Sequence, residues 1–310
     1  MRIPLVALLL TTLSGALIAC TVVNTTTPNP NANNNAKADG GGSDGGDESD
    51  GGAPAGAANS GSVTISQTKT EIAGQTSVSY SIVASFAKVE GATSGTPGTS
   101  PCTTTTEGSC VVQECDLTQA GGGGNAEAGT PKIVNVSAGD ITVKATEEVT
   151  LTPDAENKYE LKSGTTELFA GGEDISVTAK GATIPAFDQT LKAPSTFTLT
   201  TPAAPNPGEK VAVDSGGAFD FEWTDGTEGT INATLMTMNT GEKSVTVTCS
   251  FQAKDNKGTV PAAAVGKLIK GATLGTYSVG AASATTTKAG DWTVSISASA
   301  GGASGQIDVQ

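Results

Sequence analysis

Strict two-residue alternation limits this chain to strands. Val78, Tyr80, Ile82, Ala84 and Phe86 take every second position, with Ser77, Ser79, Ser81 and Ser85 between them. Successive side chains of a strand point to opposite faces, so this run buries one face and wets the other. Val63 and Ile65 begin a shorter strand before it, and Cys110 to Cys115 form another after it. From Lys132 onward such runs recur at intervals of roughly ten residues. They include Ile133 to Val136, Ile141 with Val143, Val149 with Leu151, Tyr159 with Leu161, Ile175 with Val177, and Phe197 with Leu199.

Beyond Gly208 the alternation is cleaner. Val211 with Val213 comes first, then Phe219, Phe221 and Trp223. Ile231, Ala233 and Leu235 follow, then Val245, Val247, Cys249 and Phe251. Tyr277 with Val279, Trp292 with Val294 and Ile296, and Ile307 with Val309 complete the series. Pro153-Asp154, Gly171-Gly172, Asp225-Gly226 and Asp255 to Gly258 punctuate the runs as turns. Thr259 to Leu268 is the one helical candidate, with Pro261 suited to a first turn. Gly91 to Glu107 is expected to be a loop holding Cys102. The expected class is all-β, an antiparallel β-sandwich. Aromatic residues make up 4% of the chain, so its core is thin and rich in Val and Ile.

The N-terminal part is organised differently. Met1-Arg2 precedes an apolar stretch, Ile3 to Leu10, that weakens towards Ala19. Its length suits a signal peptide better than a membrane span. Leu17-Ile18-Ala19-Cys20 resembles the lipobox of bacterial lipoproteins. That resemblance implies diacylglycerol on the Cys20 thiol and a mature chain that begins there. Thr21 stands where Asp would signal inner-membrane retention in enteric bacteria, so the expected location is the cell envelope, lipid-anchored, leaning to the outer membrane.

Thr21 to Gly61 is low in complexity, with Asn31 to Asn35 and five acids between Asp39 and Asp50. It has too little apolar surface to offset its chain entropy. A coil of this length reaches roughly 35–40 Å and would lift a domain off the bilayer. Its Asp-Gly steps lack the spacing of calcium loops. The expected organisation is a signal peptide over 1–19, a disordered tether over 20–61, and β-sandwich regions over 62–201 and 202–310. Pro202, Pro205 and Pro207 mark the last boundary, with one continuous domain as the alternative.

Composition narrows the chemistry. The chain contains no histidine, which removes Ser-His-Asp and Cys-His nucleophiles, His-ligated zinc and imidazole switches. Removing the segment that holds Arg2, the only arginine, leaves 16 lysines against 31 acids. Phosphate backbones are held by Lys and Arg, so nucleic acid is not an expected partner. No cofactor or metal is expected either. Neither Gly40 to Gly42 nor Gly121 to Gly124 lies between a strand and a helix with a following Lys-Ser or Lys-Thr, so neither is a phosphate loop.

Setting Cys20 aside leaves Cys102, Cys110, Cys115 and Cys249, an even number that favours two disulfides. Cys110 and Cys115 fall on opposite faces of a strand and so require different partners. The expected pairs are Cys102 with Cys110 and Cys115 with Cys249. Asp220 and Glu222 are the best paired carboxylates, two apart on one strand face and roughly 7 Å from each other. Their alternation with Phe219, Phe221 and Trp223 points them to solvent. Trp223 and Trp292 fall on the apolar phase of their strands, which favours core packing over sugar stacking.

Two further resemblances add fold and compartment. Phe221-Glu222-Trp223-Thr224-Asp225-Gly226 followed by Ile231 to Leu235 looks like strands B and C of an immunoglobulin- or fibronectin-like domain. Leu168-Phe169-Ala170-Gly171-Gly172-Glu173, Pro185-Ala186-Phe187, and Cys249 followed by Val260-Pro261-Ala262-Ala263 resemble uncharacterised secreted β-sandwich lipoproteins of myxobacteria, and imply no particular chemistry. The function expected is non-enzymatic: surface display, adhesion or binding, with a glycan or envelope protein as ligand and the membrane held through the lipidated N-terminus. The alternatives are a carboxylate-based envelope glycoside hydrolase and a structural subunit of an envelope complex.

Overall fold

The computed structural model describes residues 59–72, 75–90, 102–118, 132–203 and 209–310. The expected signal segment, Cys20, nearly all of the tether and the Gly121–Gly124 run lie outside the described residues. In chain order the described residues form β1 Ser60–Ile72, β2 Gln75–Glu90, β3 Cys102–Glu107, β4 Cys110–Asp116, β5 Lys132–Asn135 and β6 Ile141–Lys144. β7 Glu148–Leu151, β8 Lys162–Gly164, β9 Asp174–Ala179, β10 Phe187–Lys192, β11 Thr198–Thr201 and β12 Lys210–Val213 follow. β13 Phe219–Thr224, β14 Thr230–Asn239, β15 Lys243–Gln252, β16 Lys257–Val260, α1 Ala262–Val265, β17 Leu274–Ala289 and β18 Trp292–Val309 complete the order.

The protein is all-β, and its strands form two layers. One layer is an 11-stranded sheet in the order β3-β4-β15-β14-β17-β18-β1-β2-β5, with β12 also beside β18 and β8 beside β2. The other layer is two small sheets, β10-β9-β6-β7 and β11-β13-β16. Each small sheet covers one end of the same face of the large sheet and closes its own core. In the first core Val63, Ile65, Ile82 and Val294 meet Ile141, Val143, Ile175 and Val177. In the second, Val112, Val247, Leu235 and Val279 meet Phe221, Trp223, Val260 and Val265.

The cores do not divide the chain at residue 202. Cys110 and Val112 belong to the second core, while Trp292 to Ala300 belong to the first. Most pairings are antiparallel, but β1 and β12 both run parallel to β18. A parallel neighbour needs a long crossover rather than a hairpin, and β1 and β18 come from opposite ends of the described chain.

The hairpin β17–β18 spans both cores, and one residue makes this possible. Inward residues of β18 are Trp292, Val294, Ile296 and Ala298 in its first half, then Ile307 and Val309 in its second. Even numbers give way to odd ones, which an uninterrupted strand cannot do while facing one side. The register shifts between the Val279–Ala303 and Ala281–Ala300 pairs. The extra residue is a β-bulge in which Gly301 takes φ +56°, a conformation that costs little only in glycine.

Three local readings are corrected. Cys102–Glu107 is a strand rather than a loop. It lacks alternation because it is an edge strand with neither face buried. The helix is four residues, Ala262–Val265, with Pro261 as its N-cap, because Thr259 and Val260 are taken up in β16 opposite Asp220 and Phe219. Finally, β1 begins at Ser60, inside the span assigned to the tether.

Each core holds one of the two tryptophans, Trp292 in the first and Trp223 in the second. Because the cores share β17 and β18, single-tryptophan variants of the intact chain should report one coincident urea transition. Gly301→Ala should lower stability by about 1–2 kcal/mol. Deleting Gly301 would turn Ile307 and Val309 outward, and Trp223 should then lose its native fluorescence at lower urea than Trp292. Unchanged, coincident transitions in the deletion variant would rule out this role for the bulge.

Candidate functional site

The paired carboxylates expected from the sequence lie on β13, on the face away from the core. Asp220 and Glu222 are exposed, while Phe221 and Trp223 between and beyond them are buried. Asp220 Oδ1 accepts a 2.6 Å hydrogen bond from Thr259 Oγ1, and Glu222 Oε2 accepts one of 3.0 Å from Thr201 Oγ1. Each carboxylate is therefore held by a neighbouring strand of its own sheet, in open solvent. Neither carboxylate is removed from water on this face. Trp223 is buried and donates from Nε1 to the Ala253 carbonyl at 2.6 Å. Trp292 is buried at the first residue of β18. Neither indole is presented for stacking.

All four cysteines placed in disulfides by the sequence form them, but not in the expected pairs. The bridges are Cys102–Cys115 and Cys110–Cys249. Register explains the difference. The Gly108-Ser109 turn sets Glu107 opposite Cys110, and therefore Cys102 opposite Cys115. β4 in turn sets Cys110 opposite Cys249 and Cys115 opposite Ser244. Cys102 and Cys110 lie at opposite ends of a hairpin, roughly 17 Å apart along the strand. The face argument does hold: Cys110 points inward and is fully buried, while Cys115 points outward and is half-buried.

The most extensive surface feature is the outer face of the large sheet. Thr248, Thr234, Ser278 and Ser304 form one row across β15, β14, β17 and β18. Thr286, Ser295, Ser62 and Ser85 form another across β17, β18, β1 and β2. Neighbouring hydroxyls are close enough to interact: Ser299 Oγ is 3.1 Å from Ser66 Oγ, and Ser250 Oγ donates to Asn232 Oδ1 at 2.8 Å. The outward positions of β1, β14 and β15 carry no ionisable group; Lys210, Lys288 and Asp308 stand at the margins of the face. This face is the other half of the alternation that built the cores, so the Ser and Thr positions were legible in the sequence. Their assembly into rows was not, because rows require the strand order.

Two shallow grooves open beside the cores rather than on this face. One, of about 440 Å³, is lined by Phe197, Leu199, Pro202, Tyr277 and Gly302 to Ser304. Burial pushes the Tyr277 phenol above its ordinary pKa, so at neutral pH it is a protonated donor. The second, of about 280 Å³, is lined by Ser85, Phe86, Asn135, Asn157 and Tyr159. Among the described residues no cluster of His, Cys, Asp or Glu is arranged to hold a metal.

Sequence reasoning missed a buried clamp. Gln67 falls on the inward phase of β1 and is 3% exposed. Its Nε2 donates to the Phe169 carbonyl at 2.6 Å, and its Oε1 accepts from the Leu168 and Phe169 amides at 2.7 and 3.1 Å. A glutamine among the Ser and Thr of β1 gives no local sign of this, because its partners are a hundred residues away.

No family model matches the chain, and no curated protein matches it. Among solved structures it is similar to one described as "Structural insight into host cell surface retention of a 1.5-MDa bacterial ice-binding adhesin". The identity is 14%, with 81% of this chain and 86% of that one covered, and the TM-score is 0.17. So slight a superposition carries no argument.

Non-reducing peptide mapping of the native protein should recover Cys102 with Cys115 and Cys110 with Cys249. The second bridge spans 139 residues. Closing a loop that long gives about 5 kcal/mol in the chain-entropy treatment. Cys110→Ala/Cys249→Ala should accordingly lose several kcal/mol in urea denaturation. A loss below about 1 kcal/mol would show that the reduced chain already holds β4 against β15 without the bridge.

Proposed function

We propose that this protein is a lipid-anchored β-sandwich of the bacterial envelope that works as a display, adhesion or binding module rather than as an enzyme. The observation that carries the reading is the broad, uncharged Ser/Thr face on a strongly acidic chain. Such a face suits hydrogen bonding to a neutral, hydroxyl-rich polymer or to the polar surface of an envelope protein. The lipobox-like Leu17 to Cys20 supports attachment, and the low-complexity stretch after it supports reach. The solvent-facing Asp220 and Glu222 support the non-enzymatic side of the reading.

Attachment is tested by Cys20→Ala in the full chain. Two or three acyl chains hold a protein far more firmly than one, so the variant should leave the membrane fraction or accumulate unprocessed. Continued membrane partition with unchanged mass would refute the lipid anchor.

Binding is tested by passing the protein over immobilised neutral polysaccharides and purified envelope proteins. Retention should fall at least tenfold in Thr234→Lys/Thr248→Lys, which puts two charges in the middle of the face. Retention that survives those changes would place binding elsewhere. Catalysis is tested with peptidoglycan and mixed polysaccharides: Asp220→Asn/Glu222→Gln should match the wild type, with no reducing ends released by either. Release by the wild type alone would make the pair catalytic and overturn the module.

A further inference from the structure

The two disulfides differ in what they hold. β3 adds no side chain to either core: Thr103 to Thr106 are exposed, and Cys102 and Glu107 are half-buried. Among the described residues its only ladder partner is β4. β4, by contrast, is secured independently of β3. Val112 lies in the second core, seven residues of β4 pair with β15, and Cys110–Cys249 ties the two strands together inside. Leu117 N donates to the Glu242 carbonyl just beyond the ladder at 2.7 Å.

Accessibility separates the bridges in the same sense. Cys110 and Cys249 are 0% exposed, whereas both sulfur-bearing residues of Cys102–Cys115 are half-buried on the outer face at the sheet edge. Thiol–disulfide exchange requires a thiolate to reach a sulfur, so a reductant in solution meets Cys102–Cys115 first.

We propose that Cys102–Cys115 is a redox latch on a cover strand: opening it releases β3 and turns the outer edge of β4 into an acceptor for the β3 strand of a second copy of this chain. The reductant is a dithiol. One of its thiolates attacks a latch sulfur, forming a mixed disulfide and freeing the other cysteine. Its second thiol then displaces the remaining latch sulfur. Two electrons and two protons pass to Cys102 and Cys115, and the dithiol leaves as a disulfide. Cys110–Cys249 stays intact and keeps β4 in the sheet. The freed edge then presents unpaired N–H and C=O groups in the register that β3 held, the geometry of strand addition.

The latch closes a 13-residue separation, and its loss should raise local opening of β3 about a hundredfold. The experiment compares the oxidised full chain, the chain treated with dithiothreitol until mapping shows only Cys102–Cys115 open, and Cys102→Ser/Cys115→Ser. Amide exchange of residues 103–107 should rise about a hundredfold in the two opened forms, with β14 and β17 still protected. A fluorescent peptide of residues 102–107, with serine in the first position, should bind both opened forms and not the oxidised chain. The proposal fails if exchange in β3 is unchanged, if β14 and β17 lose protection with it, or if Cys110–Cys249 is reduced first. Release of β3 without peptide binding overturns the acceptor edge.

Discussion

The architecture depends on one long hairpin. β17 and β18 run 16 and 18 residues, enough to serve two small sheets that lie side by side above them. Each small sheet needs an apolar floor, and the hairpin supplies part of both. Without the bulge at Gly301 the second half of β18 would turn its apolar residues to water while its Ser and Gln faced the core. A single inserted residue therefore decides whether the C-terminal strand joins one core or two. β17 needs no such correction, since Tyr277, Val279, Ala281 and Ala289 all keep one phase. The irregularity is confined to the strand with two adjacent glycines, Gly301 and Gly302.

A chain so poor in aromatic residues must use each one fully, and it does so by laying rings over cross-strand glycines. Phe86 covers Gly61, Tyr80 covers Gly164 and Tyr277 covers Gly305, each pair being direct register partners. A Cβ at Gly61 would come within 2.1 Å of Phe86 Cδ1, and one at Gly305 within 2.5 Å of Tyr277 Cε1. The missing side chain lets the ring lie flat on the backbone, which shields the ladder and fills volume that Val or Ala would leave open. Polar clamps complete the packing where loops cross the core. The Tyr159 hydroxyl accepts from the Ala138 amide at 2.9 Å and donates to the Gly139 carbonyl at 2.8 Å. Thr237, fully buried, accepts from the Ile269 amide at 2.9 Å. Each takes up backbone groups that burial would otherwise leave unpaired.

What the sequence disclosed follows from what is local. The alternating runs of β2, β13, β14, β15 and β18 were legible because period two is set residue by residue. The outward direction of Asp220 and Glu222 and the burial of both tryptophans follow from the same phase. β3 was missed because an edge strand with both faces wet has no phase to read. The disulfide pairs depended on a register that the two-residue turn at Gly108-Ser109 fixes; treating β3 as loop discarded that information. The change from even to odd apolar positions across Gly301-Gly302 was also present in the sequence, since glycine inside a strand pattern signals a bulge. Strand order was not legible. Nothing near Ser60 in the sequence indicates that β1 will lie parallel to β18.

The division of polarity between the two layers has an electrostatic consequence. The outer sides of the small sheets carry charge of both signs: Glu148, Asp174 and Asp188 with Lys144 and Lys192 on one, Asp220 and Glu222 with Lys257 on the other, all exposed. The opposite side of the molecule is the neutral Ser/Thr face. Packed sheets stand about 10 Å apart, and the outward carboxylates lie farther away still. At physiological ionic strength the screening length is about 8 Å. A molecule touching the neutral face is therefore separated from these charges by a core and by more than one screening length. The chain has a net charge of −14, and the part of its charge that stands on the small sheets is screened from a partner on that face. Alternation alone would not arrange this. It requires that the outward positions of β14 and β15 be Ser, Thr, Asn, Gln or Met, where the small sheets use Asp, Glu and Lys in the same structural setting.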